Sequence, residues 1–317
     1  MSERKIEQTI SKNWDETDIP DQTGKTVLVT GANIGLGYET ARMLAGKGAH
    51  VLMACRNEAR GTEALNAIRA IHGKARLNLV SLDLANLESV AKLPAALRED
   101  GISKLDVLVN NAGIMMPPKR QTTKQGFEAQ FGINHLGHFA LTRALFDMLS
   151  PDARIVTVSS GADRVCGINF DDLQWETNYS PQKSYGQSKT ANLLFTYELT
   201  QRLATAGSQI TAVAAHPGMA DTNLSVGSAF SKWVWVLKLM RFMRVGPQLQ
   251  TPEMGALPQT YAATGEIEPG AYYGPEKEYH GHPIRADHHR AEHSTNPEYA
   301  VRLWEVSEKL TEGVFSI

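Results

Sequence analysis

The sequence has few cysteines and almost no net charge, and each of these features excludes some classes of protein. Only two cysteines occur in 317 residues, Cys55 and Cys166, and neither has a CxxC or metal-type spacing. A disulfide-stapled secreted domain is therefore excluded, and we expect a reducing, cytoplasmic compartment. Lysine and arginine number 32 against 34 acidic residues, a formal net charge of -2. No basic surplus favours nucleic acid as a partner.

Long apolar runs are also missing. No stretch reaches the roughly 18 uninterrupted apolar residues that a membrane-spanning helix needs, and residues 1–10 lack the apolar centre of a signal peptide. We therefore expect no spanning segment. Hydrophobic residues nevertheless make up 42% of the chain and charged residues 21%, an ordinary balance that supports a substantial buried core.

Short apolar runs alternate with helical patterns from residue 26 onward. Strands that are apolar throughout, separated by helices, indicate a parallel sheet covered on both faces. The sequence thus predicts an α/β fold with a single doubly wound parallel sheet of Rossmann type. We expect residues 1–24 to be a polar leader and 25–317 one domain, elaborated beyond about residue 222. The predicted strands cover residues 26–30, 50–54, 77–82, 105–110, 154–159 and 210–215, with a weak seventh near 271–273.

A glycine-rich loop, Gly31-x-x-x-Gly35-x-Gly37, separates the first predicted strand from a helix. Glycines let a backbone turn tightly and approach phosphates, and a helix N-terminus offers amide donors and a positive dipole end. The strand–turn–helix context favours a dinucleotide site over a plain tight turn.

The end of the second predicted strand indicates the cofactor type. A carboxylate there binds ribose hydroxyls and repels a 2′-phosphate, but this chain has Cys55 followed by Arg56. A guanidinium suits a phosphate, so we expect NADP(H) rather than NAD(H). The alternative is an arginine that is merely solvated.

Tyr185 and Lys189 lie four residues apart, which places them on one face of a helix. A free phenol keeps its proton up to about pH 10, and a neighbouring ammonium favours the phenolate and lowers that pKa. The pair therefore suits acid–base chemistry. Taken alone, so short a pattern favours two exposed residues on an ordinary helix.

Several short motifs occur in a fixed order along residues 24–225. They are Thr30 to Gly37, Asp83-Leu84, Asn110-Asn111-Ala112-Gly113, Asn134, Ser159-Ser160, Tyr185 with Lys189, and His216-Pro217-Gly218. Together they resemble the short-chain dehydrogenase/reductases. The stretches 54–57, 134–139, 168–173, 273–275 and 303–307 further resemble the retinol dehydrogenase and WW-domain-containing oxidoreductase branch.

The resemblance implies an enzyme that interconverts a carbonyl and an alcohol, and it assigns catalytic roles. Ser160, rather than its neighbour Ser159, would hydrogen-bond the substrate oxygen. Tyr185 would give or take the proton, and Lys189 would lower the pKa of Tyr185 and hold the nicotinamide ribose. Asn134 would support a water that links Lys189 to solvent.

The resemblance also implies a set of NADP(H) contacts. Asp83 would contact the adenine, Asn110 and Gly113 the adenosine ribose region, and the loop 217–218 with Thr222 the carboxamide. The implied cofactor set is Gly31, Asn33, Ile34, Gly35, Leu36, Gly37, Arg56, Asp83, Leu84, Asn110, Ala112, Gly113, Tyr185, Lys189, Pro217, Gly218 and Thr222.

Residues 223–250 follow that loop, where the family places its substrate lid. The segment is largely apolar, and Lys238, Arg241 and Arg244 recur at every third position. Three interpretations stay open: a lid over a lipophilic small-molecule substrate, packing against the domain or a partner subunit, and an amphipathic helix in peripheral contact with a membrane. A homodimer through the long helices is a further family expectation.

Histidines are concentrated towards the C-terminus. Imidazoles are common metal ligands, but the neighbouring residues are charged and the carbonyl chemistry requires no metal, so none is expected. The five residues are His280, His282, His288, His289 and His293.

Two other functions stay open on the same fold. One is a non-catalytic NADP(H) sensor, which would not need Asn134, Ser160, Tyr185 and Lys189. The other is a double-bond reductase of protochlorophyllide reductase type, although Ser160 fits carbonyl chemistry better.

Overall fold

A computed structural model of the protein describes residues 10–220 and 249–317. Within these ranges, eight strands form one sheet: β1 (Thr26–Thr30), β2 (His50–Cys55), β3 (Arg76–Ser81), β4 (Leu105–Asn110), β5 (Leu149–Val158), β6 (Thr211–Ala215), β7 (Tyr272–Pro275) and β8 (Pro283–Arg285). Their order is β3-β2-β1-β4-β5-β6-β7-β8. Neighbours pair in parallel except β7 with β8. The predicted doubly wound parallel sheet is confirmed.

Helices cover both faces of this sheet. In the described part of the chain they are α1 (Gly35–Gly46), α2 (Glu58–Ile71), α3 (Leu87–Glu99), α4 (Ala129–Phe131), α5 (Gly137–Leu145), α6 (Pro181–Thr205), α7 (Pro252–Thr264) and α8 (Pro297–Leu310), with a π-helical turn (Gly132–Leu136) between α4 and α5. The predicted lid at 223–250 lies almost entirely outside the described residues.

Alternate side chains of β1 enter two different cores, because successive residues of a strand point to opposite faces. Val27 and Val29 pack with Met43 of α1 and with α7, whereas Leu28 belongs to the cluster that contains Phe139 of α5. Both cores are fully buried, which is the burial that an uninterrupted apolar strand predicts.

The winding direction of the sheet reverses between β1 and β4. The strands β2 and β3 extend from β1 to one side, and β5 and β6 extend from β4 to the other. Ligands of such sheets bind in the crevice at the carboxyl ends of the strands at this reversal. The loops after β1, β4, β5 and β6 carry the sequence motifs to that single edge.

The C-terminal helix α8 covers a face of α6. Trp304 stacks on Phe195 with ring centroids 5.9 Å apart and on Phe315 at 5.0 Å. The guanidinium of Arg202 lies 4.4 Å from the Trp304 ring centroid. The long helix that the family expectation assigned to a homodimer therefore buries part of its surface against the chain's own C-terminal helix.

Candidate active site

The loop after β1 is a tight backbone cradle. Gly31 adopts φ +67°, and a Cβ on it would lie 3.0 Å from the Cα of Ala112. A Cβ on Gly37 would collide with the Gly31 carbonyl. Helix α1 begins at Gly35, and Ile34 before it contributes no side-chain cap. Since the first amides of a helix need acceptors, this loop offers them to an anionic group such as a pyrophosphate.

The predicted adenosine contacts lie along the same edge. Asp83 follows β3 and is half-buried, and its carboxylate accepts a 3.0 Å hydrogen bond from the amide of Ala85. Leu84 is buried beside it. The buried Asn110 donates to Thr142 Oγ1 at 3.0 Å, while its own Oδ1 has no hydrogen-bond partner among the described residues. A cradle closed to side chains and an orphaned buried acceptor fit a bound dinucleotide.

Arg56 is exposed directly after β2. Asn57 caps α2 by accepting a 2.9 Å hydrogen bond from the amide of Arg60. Arg56 and Asn57 line a shallow surface depression together with Glu58, Ala59 and Thr62. The exposed guanidinium of Arg56 can therefore be reached by a ligand bound at this edge of the sheet. Glu58, a carboxylate that the sequence analysis did not consider, lines the same depression.

Asn134 lies in the π-helical turn and is fully buried. Its Oδ1 accepts from the amide of Ile114 at 2.9 Å, and its Nδ2 donates to the carbonyl of Ile114 at 3.0 Å and to Ser188 Oγ at 2.9 Å. A Cβ on Gly113 would lie 3.1 Å from Asn134 Oδ1 and 3.8 Å from Lys189 Nζ. Gly113 thus keeps the space between Asn134 and Lys189 open.

The two serines after β5 have different surroundings. Ser159 is buried, and its hydroxyl donates a 2.8 Å hydrogen bond to the carbonyl of Lys189. Ser160 is half-buried, and its Oγ accepts a 3.2 Å hydrogen bond from the amide of Ala162. Its hydroxyl also interacts with the phenol of Tyr185. Of the two serines, Ser160 is the more exposed and lies beside the phenol of Tyr185.

Tyr185 and Lys189 lie in the first half of α6, where both side chains are buried. The helix begins with Pro181 after the capping residue Ser180, a favourable combination for a helix start. Lys189 Nζ lies 5.7 Å from the centroid of the Tyr185 ring and donates to the carbonyl of Val158 at 3.1 Å. The structure therefore brings Asn134, Ser160, Tyr185 and Lys189 to one place.

Burial dominates the titration of the pair. It raises the pKa of Tyr185 to about 12, and the interaction with Ser160 only partly opposes this shift. It lowers the pKa of Lys189 to about 8. The net shift of the phenol is therefore upward, because removal of the phenolate from water outweighs the interaction with Ser160. The lowering of this pKa by Lys189 stays a prediction.

The loop after β6 continues the same edge. Gly218 has φ +63°, and its amide donates to His216 Nδ1 at 3.3 Å. The side-chain amide of Gln250 donates to the carbonyl of Pro217. Residues 217 and 218 are thus held from two sides, whereas Thr222 lies outside the described residues.

Three of the five C-terminal histidines link separate segments of the chain. His289 Nδ1 lies 3.1 Å from His216 Nε2, His293 Nε2 lies 2.8 Å from the carbonyl of Asp163, and His282 Nδ1 lies 3.0 Å from the carbonyl of Trp14. Within residues 10–220 and 249–317, no three His, Cys, Asp or Glu side chains converge as a metal site requires. In the same ranges, no helix has the length and apolar character needed to cross a bilayer.

Sequence reasoning missed several residues that support the site. Ser188 accepts a hydrogen bond from the side chain of Asn134, and Gln250 donates one to the carbonyl of Pro217. The hydroxyl of Thr30 accepts from the amides of Asn111 and Ala112. Thr30 begins the glycine-rich motif, and Ser188 lies between Tyr185 and Lys189 in the sequence. Their positions could therefore have indicated that they contact the site. Gln250, distant in sequence from loop 217–218, gave no such indication.

Comparison with known proteins places this arrangement in a family. The family model for short chain dehydrogenases matches residues 25–230. The chain belongs to the short chain dehydrogenase family, whose members are oxidoreductases that use a nicotinamide cofactor.

Its relatives place it in the retinol dehydrogenase branch. Human retinol dehydrogenase 13 is 42% identical over 256 residues, which are 77% of this chain and 73% of that protein. Human polyprenol dehydrogenase is 38% identical over 272 residues, 83% of this chain and 80% of that protein.

Two solved structures share the fold. The crystal structure of an uncharacterized protein from Mycobacterium Paratuberculosis matches with a TM-score of 0.80 and 39% identity, covering 96% of this chain and all of that one. The angucycline C-6 ketoreductase LanV, crystallised with bound NADP, matches with a TM-score of 0.62 and 26% identity, covering 80% of this chain and 95% of that one.

Proposed function

We propose that this protein is an NADP(H)-dependent oxidoreductase that interconverts a carbonyl and an alcohol on a lipophilic substrate. One observation carries the proposal. The buried phenol of Tyr185 interacts with the Ser160 hydroxyl, and the Lys189 ammonium lies one helical turn away, 3.8 Å from where a Cβ on Gly113 would stand. Two hydroxyl groups thus converge at the edge of a cofactor cradle.

The proton step follows from the state of these groups. A phenol whose pKa is about 12 holds its proton at neutral pH, so Tyr185 serves as the donor to a carbonyl oxygen in the reduction direction. The Ser160 hydroxyl stabilises the charge that develops on that oxygen. A bound nicotinamide supplies the hydride. Lys189, with a pKa near 8, exchanges protons within the physiological range and returns the proton to Tyr185, while Asn134 supports the water that links Lys189 to solvent.

NADP(H) is proposed over NAD(H) because Arg56 is exposed where a 2′-phosphate would lie. The bound NADP of LanV supports this choice. The lipophilic substrate class rests on the names of the relatives, since retinol and polyprenol are both apolar isoprenoid alcohols. We also propose the cytoplasmic compartment and the single domain over residues 25–317. A homodimer, if formed, would need a surface other than the part of α6 that α8 covers.

The test is a turnover screen that follows nicotinamide absorbance with NADPH and with NADH. Retinal and a short polyprenal are the apolar substrates, and short aliphatic aldehydes and polar sugars are the controls. We expect turnover with NADPH and the isoprenoid aldehydes. Turnover confined to sugars would overturn the substrate class, and NADPH binding without any turnover would favour the sensor function.

A further inference from the structure

A buried histidine, His138, lies one helical turn beyond Asn134. It is only 1% exposed and follows the π-helical turn, in which the amide of Gly137 reaches back five residues to the carbonyl of Gly132. His138 Nδ1 lies 3.0 Å from the backbone carbonyl of Asn134, and His138 Nε2 lies 2.9 Å from Thr30 Oγ1. One ring nitrogen therefore has a partner in the π-helical turn, and the other has a partner at the end of β1.

The partners fix the tautomer. A carbonyl oxygen can only accept, so His138 Nδ1 carries the hydrogen and donates to Asn134. Burial lowers the pKa of His138 to about 4, so the ring is neutral and Nε2 accepts from the Thr30 hydroxyl. A longer 3.3 Å contact from Thr30 Oγ1 to the Val109 carbonyl competes for the same hydrogen.

Thr30 extends the chain of hydrogen bonds to the cofactor cradle. Its Oγ1 accepts from the amides of Asn111 and Ala112, each at 2.9 Å, and Ala112 is the residue against which Gly31 packs. A second route runs in parallel, because Thr142 Oγ1 accepts from Asn110 and donates to the carbonyl of His138 at 2.8 Å. The ends of β1 and β4 are thus joined to the backbone of Asn134.

We propose that His138 is a positioning residue which, through Thr30, ties the backbone of Asn134 to the strand ends that frame the cofactor cradle. The inference rests on the proposed function, since it assigns Asn134 to the proton path of the carbonyl reaction. Its physical basis is that each ring nitrogen of His138 has one partner among the described residues. Losing the Thr30 hydroxyl therefore leaves the buried Nε2 unsatisfied, and losing the imidazole removes the link between Thr30 and the backbone of Asn134.

The test is a double-mutant cycle between His138→Leu and Thr30→Val, with NADPH binding, kcat and KM measured for each variant. We expect either single variant to lower kcat about ten-fold with little change in the KM of the carbonyl substrate. The double variant should lose little more than one single variant, because both changes break the same chain. Additive losses would overturn the coupling.

Two conservative variants give the rescue. Thr30→Ser keeps the hydroxyl, and His138→Asn keeps a donor near the Nδ1 position, so both should retain kcat within about three-fold of the wild type. Urea unfolding of every variant separates lost positioning from lost folding, and the conservative pair remains informative if His138→Leu does not fold. Wild-type protein that turns over no carbonyl would defeat the proposed function. Active protein in which His138→Leu, Thr30→Val and their double variant all match the wild type would defeat this proposal alone.

Discussion

The hydroxyl of Ser159 bonds to the backbone carbonyl of Lys189 at 2.8 Å, which joins the end of β5 to the catalytic turn of α6. The hydroxyl of its neighbour Ser160 instead accepts from the amide of Ala162 and interacts with the phenol of Tyr185. The two adjacent serines therefore have different partners, and they provide a matched pair of variants for the proposed roles.

Ser160→Ala should lower kcat roughly 100-fold or more, as loss of an oxyanion donor does, and should lower the free energy of unfolding by no more than about 1 kcal/mol because it also loses the bond from the Ala162 amide. Ser159→Ala should instead lower the free energy of unfolding by about 1 kcal/mol and retain most of the turnover. Steady-state kinetics and urea titration of both variants check this. The reverse pattern would exchange the roles of the two serines.

Arg56→Ala should weaken NADPH about ten-fold or more, since a hydrogen bond to a charged group contributes about 1.5–3 kcal/mol. NADH lacks the phosphate and should bind unchanged. Arg76→Ala is the control, because Arg76 is an exposed arginine at the opposite end of β3. Equal losses for the two cofactors, measured by fluorescence titration, would contradict the phosphate assignment.

Lys189 makes stability depend on pH in a defined window. Its pKa falls from 10.5 in the unfolded chain to about 8 in the fold, so the buried ammonium destabilises the fold fully below pH 8. Between pH 8 and 10 the folded state has lost this proton and the unfolded state keeps it, so stability rises with pH. Above pH 10 the raised pKa of Tyr185 reverses the trend, because only the unfolded phenol ionises.

Lys189→Met should therefore stabilise the protein relative to wild type most strongly near pH 7, by a few kcal/mol. Much of that advantage should disappear near pH 9.5. Urea unfolding of both proteins at the two pH values measures it. The same advantage at both values would contradict a lowered pKa for Lys189.

Trp304→Ala should destabilise the fold by about 3–5 kcal/mol, the usual result of truncating a large buried aromatic side chain. Trp304 is 2% exposed and contacts Phe139, Phe195 and Phe315. On the same helix Val301 is 41% exposed, so Val301→Ala should change stability by no more than about 0.5 kcal/mol. Equal losses in the free energy of unfolding for the two variants would contradict a special contribution of the buried Trp304 to the packing of α8 on α6.

The sequence predicted the order of elements well because apolar strands alternate with helices through most of the chain. The predicted strands at 26–30 and 105–110 match β1 and β4. Strand β5 begins five residues before its predicted start, since Pro151 and Asp152 resemble a turn but lie where the pairing with β4 shifts register. The three-residue antiparallel β8 was missed because so short an edge strand carries no pattern.

Motifs predicted which residues lie at the site but not their state. The four catalytic candidates converge as expected. Burial shifts the pKa of Tyr185 upward, and this burial cannot be derived from the four-residue spacing to Lys189. The roles of His138 and Thr30 were also not derivable, since they depend on two segments 108 residues apart meeting in space.

The central claim is that the phenol of Tyr185 exchanges the proton with the substrate oxygen at the cofactor cradle. Turnover of retinal by Tyr185→Phe, compared with wild type at saturating NADPH, tests it most directly, with NADPH affinity measured on the same samples. We expect turnover to disappear while NADPH affinity stays within a few-fold of wild type. A Phe variant that still reduces retinal at near the wild-type rate would contradict it.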